Sequence, residues 1–268
     1  MHRLELGFRA FDPHELLPHV LAARLDLYDE AGINVRLRDL TFAAETVVQV
    51  SCGAALLSRL QGEPLRIVLV AAQAPLFWVY ASEETSLRGK RVAAYPAGSP
   101  PDLFTRMLLP DARLEPARDD AARIGLVLAG EVSAAIVSSA EAPVPLEQRG
   151  LRQLLAFYAR LPIPTTGLAV SEELIARSPE AVTALTSALR RALAVIQSDR
   201  ATVADTLREV FRYDDESASR CAIAFAAAFS PDGTIDHGRA ETAISRVATA
   251  LGTDTLPTHE VFGATALT

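Results

Sequence analysis

Cysteine is scarce in this chain of 268 residues. Cys52 and Cys221 are the only two, too few for a disulfide framework, and no His/Cys spacing of a zinc site accompanies them. Lysine is scarcer still: Lys90 stands alone beside many arginines. No uninterrupted apolar run approaches the roughly 20 residues needed to cross a bilayer. An excess of basic charge is also missing. The formal net charge is -7, so the clustered basic surface that phosphate backbones require is not expected, and neither is a nucleic-acid partner. Phosphate loops, dinucleotide glycine motifs and a Ser-His-Asp order are absent from the sequence, so no cofactor and no metal are expected. Met1-His2-Arg3 leads straight into alternating Leu4-Glu5-Leu6-Gly7-Phe8 rather than an apolar leader. The expected location is therefore cytoplasmic, or periplasmic if a signal peptide has been removed, and an ABC transporter partner is doubtful without one.

What is present reads as a globular protein. Half of the residues are hydrophobic and 22% are charged, which excludes disorder as the main state. The length fits one large domain or two compact lobes. Strand and helix signals alternate through the first half, the pattern of an α/β protein. Arg3–Phe8 reads as a strand. Pro13–Ala31 has helical apolar spacing, with Asp12 as N-cap, Pro13 at the first position and Gly32 as the stop. Ile33–Leu40 alternates as a half-exposed strand. Val47–Val50 looks like strand and Ala54–Leu60 like helix, while Pro64–Ala71 and Leu76–Tyr80 read as buried strands.

A new unit opens near Ser82, with a strand at Val92–Tyr95, a helix near Asp102–Leu109, helical character over Ala121–Ala129, and apolar runs at Val132–Ser138 and Leu151–Tyr158. From Ser171 the chain reads as almost wholly helical, over 172–176, 179–198, 200–211, 216–229 and 238–251. Segments 1–81, 82–164 and 165–268 are therefore expected as lobe I, lobe II and the return to lobe I.

Four segments carry a family resemblance: Leu25–Val35; Leu87-Arg88-Gly89-Lys90-Arg91-Val92 with Gly98-Ser99; Leu128–Val137, where Ser133 replaces the usual aspartate; and Gly167–Ile175 followed by Ser178-Pro179. Together they resemble the type II periplasmic substrate-binding proteins, in the nitrate/sulfonate/taurine-binding branch that also includes thiamine-pyrimidine-precursor synthases. The resemblance implies two α/β lobes in a Venus-flytrap arrangement, with the C-terminal helices packed on lobe I and a small molecule held between the lobes. One departure is visible. Thr41–Glu63 must supply a crossover helix, a strand and a second helix, although a parallel crossover alone takes a dozen residues or more, so an element is expected to be shortened or missing there.

In such a fold the ligand sits outside the carboxyl ends of the strands, against helix amino termini. The strand-end loops then nominate the candidates. Arg9, Phe11, Asp12 and His14 follow the first strand; Arg9 suits a planar anion, and the rival reading makes Asp12 a plain helix cap. Gly98 and Ser99 precede a helix whose free N–H groups favour an anion. Ser138, Ser139 and Glu141 follow the Val132–Val137 strand, and Thr165 and Thr166 lie at the second crossing. Trp78 and Tyr80 are read as core. Cys52 is the candidate nucleophile, with His14 or His19 as its base, against the alternative of a buried packing cysteine. Cys221 is read as core, and Lys90 as a solvated turn residue.

The leading expectation is a small-molecule binding protein that closes on an organic anion. An intracellular enzyme on the same scaffold is the alternative: a decarboxylase, desulfinase or other lyase resembling the dihydroxyphthalate decarboxylases and biphenyl sulfinate desulfinases. The cysteine-rich motif and the cofactor-holding residues of the thiamine-precursor branch have no match here. A ligand-sensing or protein-interaction module is the third reading.

Overall fold

The computed structural model describes residues 2–39, 48–84 and 86–268. Part of the segment expected to be shortened, 41–47, lies outside the described residues. The chain forms two compact units, Met1–Gln73 with Ile163–Thr268 and Ala74–Pro162. The unit boundaries fall between Gln73 and Ala74 and between Pro162 and Ile163.

The larger unit begins with β1 (His2–Phe8), α1 (Pro13–Arg24), α2 (Leu27–Glu30), β2 (Ile33–Asp39), β3 (Val48–Ser51), α3 (Cys52–Leu60) and β4 (Leu65–Ala72). The smaller unit holds β5 (Phe77–Ala81), β6 (Arg91–Ala94), α4 (Pro100–Leu108), β7 (Arg113–Pro116), α5 (Asp120–Leu128), β8 (Ala134–Ser138), α6 (Pro143–Gln148) and β9 (Arg152–Ala156). The chain then returns to the larger unit through β10 (Thr166–Ser171) and α7 (Glu172–Arg177). Five more helices follow: α8 (Pro179–Ser198), α9 (Arg200–Glu209), α10 (Asp215–Ala228), α11 (His237–Leu251) and α12 (Thr258–Val261).

The two sheets share one plan. In the larger unit the order is β2-β1-β3-β10-β4, and in the smaller unit β7-β6-β8-β5-β9. Each has a parallel triplet, β2-β1-β3 or β7-β6-β8. Each then takes in a strand from a distant part of the chain, β10 or β5, which runs antiparallel to both of its neighbours. Strand β5 thus belongs to the smaller unit, although the sequence grouped Leu76–Tyr80 with the first segment.

Burial explains the local choices. Leu6, Val48, Val50, Leu69, Val70, Leu168 and Val170 have no exposed surface, and each such large side chain contributes about 1.5–3 kcal/mol by leaving water. Helix α8 packs on α1, α2 and α9. The outer edge of β4 is covered by the tail: Val70 N–H donates to Gly233 O at 2.8 Å, Gly263 N–H to Ile67 O at 2.8 Å, and Ser230 N–H to Ala71 O at 2.6 Å. That cover removes an edge open to pairing with another chain. In the smaller unit, Tyr80, Ala93, Ile124, Val127, Ala135, Val137 and Leu146 form the core, with Trp78 packed against it.

The continuous helix expected over Pro13–Ala31 is broken. Asp26 takes a left-handed conformation (φ 56°) between α1 and α2, a conformation that aspartate tolerates better than most residues. The turn lets Leu27 and Tyr28 bury, and it brings the Tyr28 hydroxyl within 2.9 Å of His19 Nδ1. Among the described residues no helix is long and apolar enough to cross a membrane.

Candidate functional site

In the larger unit, the loop leaving β1 is organised by two buried carboxylates. Asp12 caps α1 by accepting the Glu15 N–H at 2.8 Å. Glu15, three positions into the helix, reaches back and accepts the Arg9 N–H at 3.1 Å and the Ala10 N–H at 2.6 Å. This is a capping box with an extended reach. Burial, reinforced by the Asp12 charge, pushes the Glu15 carboxyl up to about 8 despite those two amide bonds. Arg9 and Phe11 are exposed on the same loop. The Phe11 ring packs against Phe8 at 6.3 Å and Phe211 at 5.6 Å.

Behind this loop lies a buried, uncharged network. His14 Nε2 and Thr165 Oγ1 share a 2.7 Å hydrogen bond. Thr165 is tied into the sheet by its own backbone: its N–H donates to Ala72 O at 3.0 Å, and its carbonyl accepts the Gly53 N–H at 3.2 Å. Thr166 is buried beside it and is in register with Ser51 and Ala72. Desolvation lowers His14 to about 3 and His19 to about 4, so both rings are neutral near pH 7.

The nucleophile expectation fares differently. Cys52 has no exposed surface, and its thiol points at Leu69 O, 3.4 Å away. Burial drives its pKa far above the ordinary thiol value. It therefore remains a thiol, the opposite of the thiolate that its place at a helix start suggested. Its neighbour Gly167 explains the packing: a Cβ there would lie 2.8 Å from Cys52 Sγ and 2.1 Å from Leu69 O. His14 Nε2 is engaged with Thr165 Oγ1, and the Cys52 thiol with Leu69 O.

In the smaller unit, the loop after β6 repeats the device. Ser99 caps α4, accepting the Asp102 N–H at 3.4 Å while its hydroxyl donates to Pro96 O at 2.7 Å. Asp102 reaches back to the Gly98 N–H at 3.0 Å. The amide and the hydroxyl that the sequence offered to an anion are thus engaged by the helix's own residues.

Ser138 and Ser139, at the end of β8, are both buried. Ser138 donates its hydroxyl to Asp120 Oδ2 at 2.7 Å and its N–H to Asp120 Oδ1 at 3.2 Å. Half-buried Glu141 follows, its carboxyl raised first by desolvation and then by the Asp120 charge. Asp120 is itself held by Arg123 at 2.5 Å. Sequence reading missed Arg123, which is only 1% exposed. Its guanidinium also donates to Ile136 O at 2.8 Å and Ala117 O at 3.1 Å, and it lies 3.7 Å over the Tyr95 ring. One side chain thereby ties together the ends of β6, β7 and β8.

Glu15 was the other omission, and its signal was legible: an Asp12-x-x-Glu15 spacing ahead of an apolar helix. Among the described residues no group of three His, Cys, Asp or Glu side chains is placed to hold a metal.

Comparison with known proteins bears on the fold. No family profile and no curated protein matches the chain. Solved structures do. The alkanesulfonate-binding protein SsuA from Xanthomonas axonopodis pv. citri, bound to MOPS, is 18% identical with a TM-score of 0.71, covering 100% of this chain and 98% of its own. A Candida albicans protein described as exhibiting the generic periplasmic binding protein structural fold is 13% identical with a TM-score of 0.72, covering 94% and 90%. The desulfurization enzyme DszB is 13% identical with a TM-score of 0.67, covering 94% and 92%. At these identities the likeness establishes the fold: this chain has the periplasmic-binding-protein fold.

Proposed function

We propose that this chain binds a small organic acid at the carboxyl ends of its strands, both units supplying contacts, and that the ligand shifts an open–closed equilibrium. One observation carries the reading. In both units the helix after the first parallel strand begins at a loop fixed by its own capping carboxylate, so the loop is preorganised, with Arg9 and Phe11 as the candidate contacts on it in the larger unit. The likeness to an alkanesulfonate-binding protein supports an acid as the ligand class. Arg9 is the candidate partner for its head group, with Thr165 and Thr166 as further candidate contacts in the larger unit and Ser138 and Glu141 in the smaller. Calorimetric titration with a panel of alkanesulfonates and carboxylates tests this. Saturable one-site binding is expected for at least one acid and a marked loss in Arg9→Ala; heats of dilution alone across the panel would overturn it.

An enzyme on the same scaffold is the second reading, favoured by the likeness to DszB. The burial of Cys52, which raises its thiol pKa, weighs against chemistry at that residue. Product analysis by mass spectrometry after incubation with each bound acid decides between the readings: unchanged acid supports the binder, and turnover that survives Cys52→Ala supports an enzyme with a different nucleophile.

A further inference from the structure

Phe11 is the most exposed large apolar side chain among the described residues, at 59%. An exposed apolar ring is informative when it is held in place among other rings. The loop is not slack. Glu15 pins the Arg9 and Ala10 amides, and Asp12 pins the Glu15 amide. Nor is Phe11 an isolated residue: its ring meets Phe8 at an interplanar angle of 62° and Phe211 at 40°, so three phenyl rings from two distant chain segments meet at one strand end. The same pinning has a chemical consequence. Because Glu15 already accepts from the Arg9 and Ala10 N–H groups, those two amides are not on offer to an anionic head. What it offers outward is ring surface beside an exposed guanidinium.

We propose that Phe11, with Phe8 and Phe211, forms a ring subsite, and that the acid bound by this protein carries a planar aromatic group beside its carboxylate or sulfonate. This rests on the acid-binding reading above. Ring-on-ring contact adds about 0.5–1.5 kcal/mol beyond area burial, which corresponds to a preference of up to about tenfold over a saturated ring of the same size.

The test titrates the full chain with 2-naphthoate, benzoate, cyclohexanecarboxylate and hexanoate. The aromatic acids are expected to bind several-fold to about tenfold tighter than their saturated counterparts. Phe11→Leu keeps an apolar side chain of similar volume and is expected to abolish most of that preference, weakening 2-naphthoate far more than hexanoate. Phe211→Leu should act in the same direction. Because Phe11 is mostly in water, the melting temperature of its leucine variant should stay close to that of the parent, which separates lost recognition from lost folding. Equal affinities for aromatic and saturated acids, or a preference that survives Phe11→Leu, would overturn the ring subsite and leave the acid-binding reading standing. If none of the four acids binds and the alkanesulfonates also fail, both are overturned.

Discussion

The two units carry the same strand order and the same helix-capping device, yet they satisfy the buried polar groups at their strand ends with opposite chemistry. In the larger unit the buried carboxylates of Asp12 and Glu15 bond to backbone amides, and the histidines behind them are neutral. In the smaller unit the buried carboxylate of Asp120 is matched by a buried guanidinium, Arg123. A polar group taken out of water must find partners, and amides or a counter-ion both serve. The difference lies in what each arrangement is sensitive to. Amide-held carboxyls and neutral imidazoles respond to pH, whereas an ion pair responds to deletion of one partner.

The largest effect should therefore come from Arg123→Met, which leaves Asp120 buried without its cation. Breaking a buried pair from one side costs about 3–5 kcal/mol, and denaturant unfolding of the variant should show a loss of that order. An unchanged midpoint would break the contrast between the units. The loss should be reduced in the double variant Asp120→Asn/Arg123→Met, where no uncompensated charge remains.

Next comes the pH profile of the larger unit. His14, lowered to about 3 from 6.5, stays neutral in the fold while the unfolded chain takes up a proton, so stability should fall as pH drops from about 6.5 towards 3. His19, lowered to about 4, adds to the same limb. Glu15 acts in the other direction. Its folded carboxyl, raised from 4.5 to about 8, holds a proton that the unfolded chain has released, so its contribution is lost as pH rises from 4.5 to 8. Thermal unfolding followed across pH should show greatest stability near pH 6.5. Glu15→Gln should flatten the alkaline limb and leave the acid limb in place. A profile that falls on neither side would contradict the account of this unit.

Thr165→Val should cost less, about 1–3 kcal/mol, by leaving His14 Nε2 buried without its partner. Smallest are the caps: Asp12→Ala and Ser99→Ala should each cost about 1 kcal/mol. Similar losses in the two units would sharpen the parallel between them, and a loss confined to one would weaken it.

The elements that the sequence made legible are those with a long period or a strong cap. Helix α8 matches its expected span at both ends, Pro179–Ser198, because Ser178-Pro179 marks its start and apolar residues recur through twenty positions. Strand β7 went unread because its four residues, Arg113–Pro116, hold one aliphatic side chain among charges and a proline at an edge. Helix α6 went unread because two prolines in six residues mask a single turn and a half that has no side-chain cap. The break at Asp26 was hidden by apolar spacing that continues across it; only the need to bury Tyr28 against His19, a tertiary contact, requires the turn.

At the site, the loops were legible and the bonds were not. Arg9, Phe11, Gly98, Ser99, Ser138 and Thr165 do lie at strand ends or crossings, but which amide is already taken depends on Glu15 and Asp102 folding back. The inert state of Cys52 depends on Leu69 and Gly167, seventeen and more than a hundred positions away.

Amide hydrogen exchange in the presence and absence of the tightest-binding acid tests the central claim most directly. Added protection is expected at the strand-end segments of both units, residues 8–12 and 163–167 in the larger and 96–102 and 138–141 in the smaller. Protection confined to one unit, or appearing at the opposite ends of the strands, would contradict a ligand held by both.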